Sequence, residues 1–269
     1  MAVFLQSMIS GILIGGVYAL IGIGLTIIFG VMRVINFAHG DLLMIGMYMT
    51  YFLFALLHID PFVSIVVTIP LMFLFGAFLQ KVFINRVLGA LPQNQILLTI
   101  GMGLVMSNAI MLAFTSDYKI LSTTYSSASF NIFGISISSP LLISFAITIA
   151  ITLALYWFLY RTDTGQAIRA TAQDRDAAQL MGINVKRMSI IAFGMGAALA
   201  GTAGALISPT YYIFPHSIVG ATLGGVIIGI AESVGGVYLG SGWKDVIVFI
   251  LFLLVLLFKP SGLLGTSKD

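Results

Sequence analysis

The chain of 269 residues is 59% hydrophobic and 8% charged, with a net charge of +3, a mean hydropathy of +1.11 and no cysteine. A soluble domain carries about 25% charged residues, so here too little polar surface remains to cover a core, and the chain reads as an integral membrane protein. Without cysteine there is no disulfide framework, thiolate nucleophile or zinc knuckle, and the few basic residues, spread among loops, argue against nucleic acid as a partner.

Apolar segments follow one another at roughly 4–32, 41–57, 62–79, 96–114, 141–160, 188–207, 218–233 and 246–258. A bilayer core of about 30 Å needs about 20 apolar residues per helix. The expectation is therefore an all-α transmembrane helical bundle of about eight segments, forming a single domain over 1–269. The N-terminus lacks the basic region of a cleavable signal peptide, so the first segment is expected to be retained. That segment is too long for one straight crossing and carries Gly11, Gly15, Gly16, Gly22, Gly24 and Gly30; it reads as one helix, tilted, broken or doubled.

Next come the loops. The connection 80–95 holds Lys81 and Arg86 with no acid, and 161–187 holds Arg161, Arg169, Arg175, Lys186 and Arg187. The Ser/Thr-rich 115–140 stretch has one Lys and one Asp. The positive-inside rule places the first two in the cytoplasm and the third outside. Continued to the end, the alternation leaves the tail outside, although Lys259 and Lys268 favour the cytoplasm. One crossing missing between His216 and Gly220 would restore agreement.

Within 161–187 lies the most highly charged stretch of the chain, "RATAQDRDAAQLMGINVKR" (169–187). Residues 169–173 are expected to continue a helix out of the membrane. Asp174 suits a helix N-cap, Asp176 favours the first turn, and Gly182 followed by Ile183 suits a C-terminal stop. The result is a helix of about two turns, too short to stand alone in water. The small pair Ala177-Ala178, flanked by mixed charge, allows close approach by another surface. On spacing alone, a solvated connector and a protein contact weigh evenly.

Elsewhere, "RVINFAHGD" sets Arg33, Asn36, His39 and Asp41 beside membrane segments. Such groups are pathway candidates, because ionisable side chains in a bilayer are costly and tend to face a cavity or a partner. The alternatives are a solvated turn, or Asn36 and His39 satisfying backbone where a helix breaks, and packing or backbone satisfaction is the first expectation. No second ligand accompanies His39 at metal spacing. Gly196, Ala200 and Gly204, and Gly220 and Gly224, repeat small residues every fourth position, as helix packing within the bundle requires; a gate or a subunit interface is the sharper alternative. Ser107 and Asn108 read as helix-packing hydrogen-bonders, and Tyr118 and Tyr125 as external loop residues. Glu232, Lys244 and Asp245 fit a membrane–water boundary. The sequence has no phosphate loop, nucleophile elbow or His-Glu-x-x-His motif, so ATP hydrolysis and the common hydrolase chemistries are not expected of this chain.

"GQAIRATAQDRDAAQLMGINVKRMSIIAFGMGAALAGTAGAL" resembles the cytoplasmic coupling segment of the ABC-importer permeases for branched-chain amino acids, of the LivH type, with simple-sugar permeases as more distant kin. The resemblance rests on Gly165, Arg169-Ala170, Asp174, Ala177-Ala178, Gly182-Ile183, Ala200-Gly201 and Ala203-Gly204. It extends to "NFAHG" (36–40), "LGGVIIGIAES" and "LVLLFKPSGLLG", and so covers nearly the whole chain. The resemblance implies a bacterial inner-membrane permease subunit with no cofactor of its own. Its partners would be a similar permease, two ATPase subunits that hold ATP and Mg, an external binding protein and the lipid bilayer. It also implies that Arg169, Asp174, Asp176, Ala177, Ala178, Gly182 and Ile183 meet the ATPase. Family members carry roughly one further membrane segment where His216 here runs into Gly220. A permease for urea or amides in the same family, and an ion-coupled secondary transporter from another class, are the alternatives.

Overall fold

A computed structural model describes residues 2–114, 119–121, 123, 125–126, 128–132, 135–211 and 213. Six helices among them are long and apolar enough to cross a membrane. In chain order they are α1 (Ala2–Met32), α2 (His39–Leu57), α3 (Pro61–Val82, followed by a 3-10 turn at Ile84–Arg86), α4 (Pro92–Phe114), α5 (Ser139–Arg161) and α8 (Val185–Ile207). Between α5 and α8 lie two shorter helices, α6 (Asp163–Gln173) and α7 (Arg175–Leu180). The segments at 218–233 and 246–258, with Gly220, Gly224, Glu232, Lys244 and Asp245, lie outside the described residues.

The first segment is neither broken nor doubled. α1 is one helix of 31 residues, about 46 Å at 1.5 Å per residue. That exceeds the hydrocarbon core, and its last turn reaches α6, where Gly30 faces Ala172 at van der Waals range. Glycines inside the segment serve packing: Gly24 lies against Gly196 of α8, and Gly16 against Phe145 of α5.

α8 is the axis of the bundle. Its span is 78% buried, against 11% for α5, and α1, α2 and α3 pack around it. Small residues make this possible. The backbones of Gly46 and Gly201 are so close that a Cβ on Gly46 would overlap the Gly201 carbonyl. Gly194 meets the Phe73 carbonyl, and Gly204 the Leu43 carbonyl. Without a hydrophobic driving force between helices in lipid, such close backbone approach is a main source of association.

The two ends of the bundle differ. At one end, α6 and α7 sit beside the C-terminus of α1. At the other, the 115–140 stretch is not only loop: β1 (Ser129–Ile132) and β2 (Ile135–Ser138) form an antiparallel hairpin, with Ser129 opposite Ser138. This adds a small sheet to the expected all-α architecture. The stretch is pinned twice. Lys119 and Ile213 exchange backbone hydrogen bonds of 3.0 Å, and the Tyr125 hydroxyl donates to Asp60 Oδ2 at 2.6 Å while its ring stacks on Phe62. Burial, and then the Asp60 carboxylate, push the Tyr125 hydroxyl above its usual range.

Candidate functional site

The charged stretch folds as two helices, not as the tail of a membrane helix. α5 stops at Arg161, and Thr162 caps a new helix: its Oγ1 accepts from Gly165 N at 3.0 Å and donates to Phe158 O at 2.7 Å. The turn is so tight that a Cβ on Gly165 would overlap the Phe158 carbonyl. Residues 169–173 therefore belong to α6, which packs against α5 with Gly165, Ile168 and Thr171 buried.

Arg169 is half-buried and leans back on α5. Its Nε donates to Leu159 O at 3.0 Å, satisfying one of the last four carbonyls that every helix leaves unpaired. Its guanidinium lies 4.2 Å from the centroid of Tyr160, a cation–π contact. Arg169 thus ties α6 to the end of α5.

α7 begins as the spacing predicts. Asp174 Oδ1 accepts from Asp176 N at 2.9 Å and Ala177 N at 3.0 Å. It ends on a glycine stop: Gly182 has φ +83°, Ile183 N donates to Ala178 O, and Gly182 N donates to Gln179 O, both at 3.0 Å. This pair of bonds satisfies the terminal carbonyls in the Schellman pattern. The Ala177-Ala178 pair divides. Ala178 is buried and Ala177 is exposed, and both line the hollow beside α7.

Sequence reading passed over Leu180 and Met181, which are 88% and 83% exposed. The signal was available: two large apolar residues directly before a helix-ending glycine, on a helix with no membrane to enter. Beside them a hollow of about 200 Å³ lies between α6 and α7, lined by Ala170, Gln173, Ala177 and Met181 among others. Asp174, which also lines the hollow, is exposed, as are Asp176, Lys186 and Arg187 of the same connection. Two large apolar side chains thus stand exposed next to a hollow and near charged residues, an arrangement unusual for a surface with nothing to cover it.

A second constellation lies inside the bundle. After α1, residues 33–36 carry no regular structure and Phe37-Ala38 form a turn, His39 N donating to Asn36 O at 3.2 Å; burial alternates, with Val34, Asn36 and Ala38 covered and Arg33, Ile35 and Phe37 exposed. Arg33 opens the segment at φ +54°. The segment climbs back along the bundle, and α2 starts only at its top. His39 Nε2 lies 3.1 Å from Ile21 O, and the ring contacts Gly24. Asn36 folds over this helix end, its Oδ1 accepting from Ala38 N at 3.2 Å. Asp41 accepts a hydrogen bond from the Ser107 hydroxyl of α4 and packs against Gly103. Backbone satisfaction is therefore part of what Asn36 and His39 do, yet Asn36 Nδ2 and His39 Nδ1 keep no partner.

Gly196, Ala200 and Gly204 are buried within the chain, Gly196 against Gly24 and Ile28, and Gly204 against α2. They pack the bundle and are not open to a second subunit. Asn108 is exposed and donates to Leu104 O of its own helix, so it joins no neighbouring helix through that bond. Tyr118 lies outside the described residues. Among the described residues no group of three His, Cys, Asp or Glu is placed to hold a metal.

Apolar helices packed through glycine, with an exposed capped helix at one end, define a multi-pass membrane protein. The chain belongs to the family described as branched-chain amino acid transport system / permease component, whose profile matches residues 7–217. It is 33% identical to the high-affinity branched-chain amino acid transport system permease protein BraD of Pseudomonas aeruginosa, over 98% of this chain and 97% of that one. It is also 33% identical to the high-affinity branched-chain amino acid transport system permease protein LivH of Escherichia coli K12, over 98% and 96%. To a probable branched-chain amino acid transport permease protein of Methanocaldococcus jannaschii it is 27% identical, over 95% and 91%. The alignment to the Pseudomonas protein runs over 303 positions against 269 residues here, so part of that relative stands opposite no residue of this chain. The difference is long enough for one membrane segment of about 20 residues. No solved structure matches the chain.

Proposed function

We propose that the chain is the permease subunit of an ATP-driven importer of leucine, isoleucine and valine in the bacterial cytoplasmic membrane. The observation that carries the coupling half of this reading is α7: a helix of six residues, fixed at both ends by its own caps, that turns Leu180 and Met181 into water. The substrate half rests on the near full-length similarity to permeases named for branched-chain amino acids.

In this reading a second, similar permease completes the pathway, two ATPase subunits hold ATP and Mg, and an external binding protein delivers the solute. The end bearing α6 and α7 is cytoplasmic, in keeping with its basic residues, and the hairpin end is external. Closure of the ATPases moves α7. Because Thr162, Gly165 and Arg169 lock α6 to α5, the displacement passes to α5 as well as to α8. Arg169 thus acts as a clamp behind the contact, and Leu180, Met181 and Ala177 form its face.

Two measurements test this. Purification of the tagged chain from a strain expressing the whole transporter is expected to recover a phosphate-loop ATPase, and Ala177→Glu to abolish that recovery. In uptake, unlabelled Leu, Ile and Val are expected to compete with labelled leucine, and urea to have no effect. Unchanged recovery and uptake in Ala177→Glu removes the coupling assignment; competition by urea alone moves the substrate to amides.

A further inference from the structure

α5 (Ser139–Arg161) is buried in one half only. Its buried residues are Ser139, Pro140, Ser144 and Thr148, all before its midpoint. There the Ser144 hydroxyl donates to Leu206 O of α8 at 2.9 Å, and Phe145 lies against Gly16 of α1. Beyond Thr148 one side stays open to the end of the helix. Ile149, Leu153, Trp157, Tyr160 and Arg161 are exposed, and steps of three and four residues hold them on a common face.

The chemistry of that face changes with depth. α5 has 23 residues, about 34 Å of helix. It therefore spans a hydrocarbon core of about 30 Å, and its last turn falls at the headgroups. Ile149 and Leu153 are aliphatic, as suits acyl chains. Trp157, 62% exposed, and Tyr160 follow, rings of the kind that favour the membrane–water boundary. Arg161 closes the helix, and Arg169 of α6 joins it from the far side of the turn. The Arg169 guanidinium lies 4.2 Å from the centroid of Tyr160, a ring itself packed on Tyr156 with centroids 4.5 Å apart. Both contacts of Arg169 are to neutral groups, this ring and Leu159 O. Its charge is thus held in place without being cancelled. The acid nearest in sequence, Asp163, is exposed in the first turn of α6, so two positive charges face one negative at this corner.

An aliphatic zone, an aromatic zone and a pair of arginines, in that order, match a phospholipid with a negative headgroup. Guanidinium suits phosphate because it can donate two parallel N–H bonds to it. We propose that the corner of α5 and α6 binds the phosphate of an anionic phospholipid, held by Arg161 and Arg169, with its acyl chains along the open face of α5. A protein on the same face would have to bring its own carboxylate, whereas the cytoplasmic leaflet already supplies anionic lipid. The bound phosphate bridges the last turn of α5 to α6 and braces the joint made by Thr162, Gly165 and Arg169. Such a site serves whichever solute is carried; only its leaflet rests on the orientation proposed above.

The test uses the full-length chain, which has two tryptophans; Trp243→Phe leaves Trp157 as the sole reporter. Chain-brominated phosphatidylglycerol, a minor fraction in phosphatidylcholine vesicles, is expected to quench Trp157 more than the same fraction of brominated phosphatidylcholine. The expected preference is about tenfold or more in apparent affinity, at about fivefold for each basic residue near an anionic surface. Arg161→Gln is expected to remove about fivefold of it, and Arg161→Lys to keep most of it. Lys81→Gln, which alters an exposed cation on α3, is expected to leave it unchanged. Equal quenching by the two lipids overturns the proposal, and that comparison stands even where Arg161→Gln does not insert. A loss in Lys81→Gln as large as in Arg161→Gln overturns it too, since it reads surface potential and no site. Two other results have the same force: Trp157 quenched by neither lipid, which means that protein covers the face, and a preference abolished by dissolved glycerol phosphate, which makes the ligand a soluble phosphate.

Discussion

The arm at 162–187 and the helix contacts around α8 are held by opposite means. In the arm, each bond joins residues close in sequence: Thr162 to Gly165, Arg169 to Leu159, Asp174 to Ala177, Ile183 to Ala178. Around α8, the contacts join Gly46 to Gly201, Gly24 to Gly196 and Met72 to Gly201, with nothing local to announce them. The arm keeps its shape while exposed, through bonds of its own. The core keeps its shape only while the helices touch, so it can part along chosen seams. A transporter needs both, a stiff handle and a bundle that slides.

The largest effect is expected at the seam. Gly46→Val drives a side chain into the Gly201 backbone, and no neighbour there is a flexible side-chain end that can yield. Folded protein in the membrane fraction is expected to disappear. Full expression would mean that α2 and α8 are not in backbone contact.

Next comes the handle. Leu180→Asp places a charge on a side chain that is already in water, so the chain folds and inserts normally. Recovery of the ATPase is nevertheless expected to fall by about tenfold or more, as for an interface anchor. Equal recovery would break the contrast by making the arm an ordinary loop.

A clamp differs from a contact in kinetics. Arg169→Gln removes the bond to Leu159 O and the stacking on Tyr160, but leaves the face of α7 unaltered. ATPase recovery is expected to be retained, with uptake per ATP hydrolysed reduced severalfold. Loss of recovery instead would place Arg169 in the contact itself.

Smaller effects sharpen the local picture. Gly182→Ala meets no atom within 4 Å, so its cost is only that of φ +83°, about 1 kcal/mol. It is expected as a small drop in the melting temperature of the detergent-solubilised chain. Tyr125→Phe removes the hydrogen bond to Asp60, also worth about 1 kcal/mol, and is expected to speed hydrogen exchange at 125–132 without altering ATPase recovery. The same contact has a pH signature. Because the folded hydroxyl titrates above its usual value, its contribution is intact below about pH 10, where free tyrosine still holds its proton. It fades as the pH rises beyond that.

How much of this was legible follows from the same contrast. Asp174, Gly182 and the two-turn helix between them were readable, because caps act over three or four residues. The six described spans were readable from hydropathy. Arg169 was legible as a marked residue but not in its direction, since its partners lie on α5, ten residues back across a tight turn that only Gly165 permits. Small residues at 196, 200 and 204 declared a packing face but not its partners, which come from residues 24 to 47. The hairpin was hidden because Ser129 to Ser138 alternate only weakly. The start of α2 beside Ile21 and Gly24 was hidden because nothing in residues 33–38 announces that the chain turns back along α1 before the next helix begins.

One measurement bears most directly on the claim that α7 is the handle. A photoreactive residue placed by Leu180→p-benzoylphenylalanine, in cells expressing the whole transporter, is expected to crosslink to the ATPase subunit. The same residue at Val66, which is 74% exposed on a membrane helix, is expected to give no such product. Crosslinking to the ATPase from position 66 and not from position 180 would contradict the account.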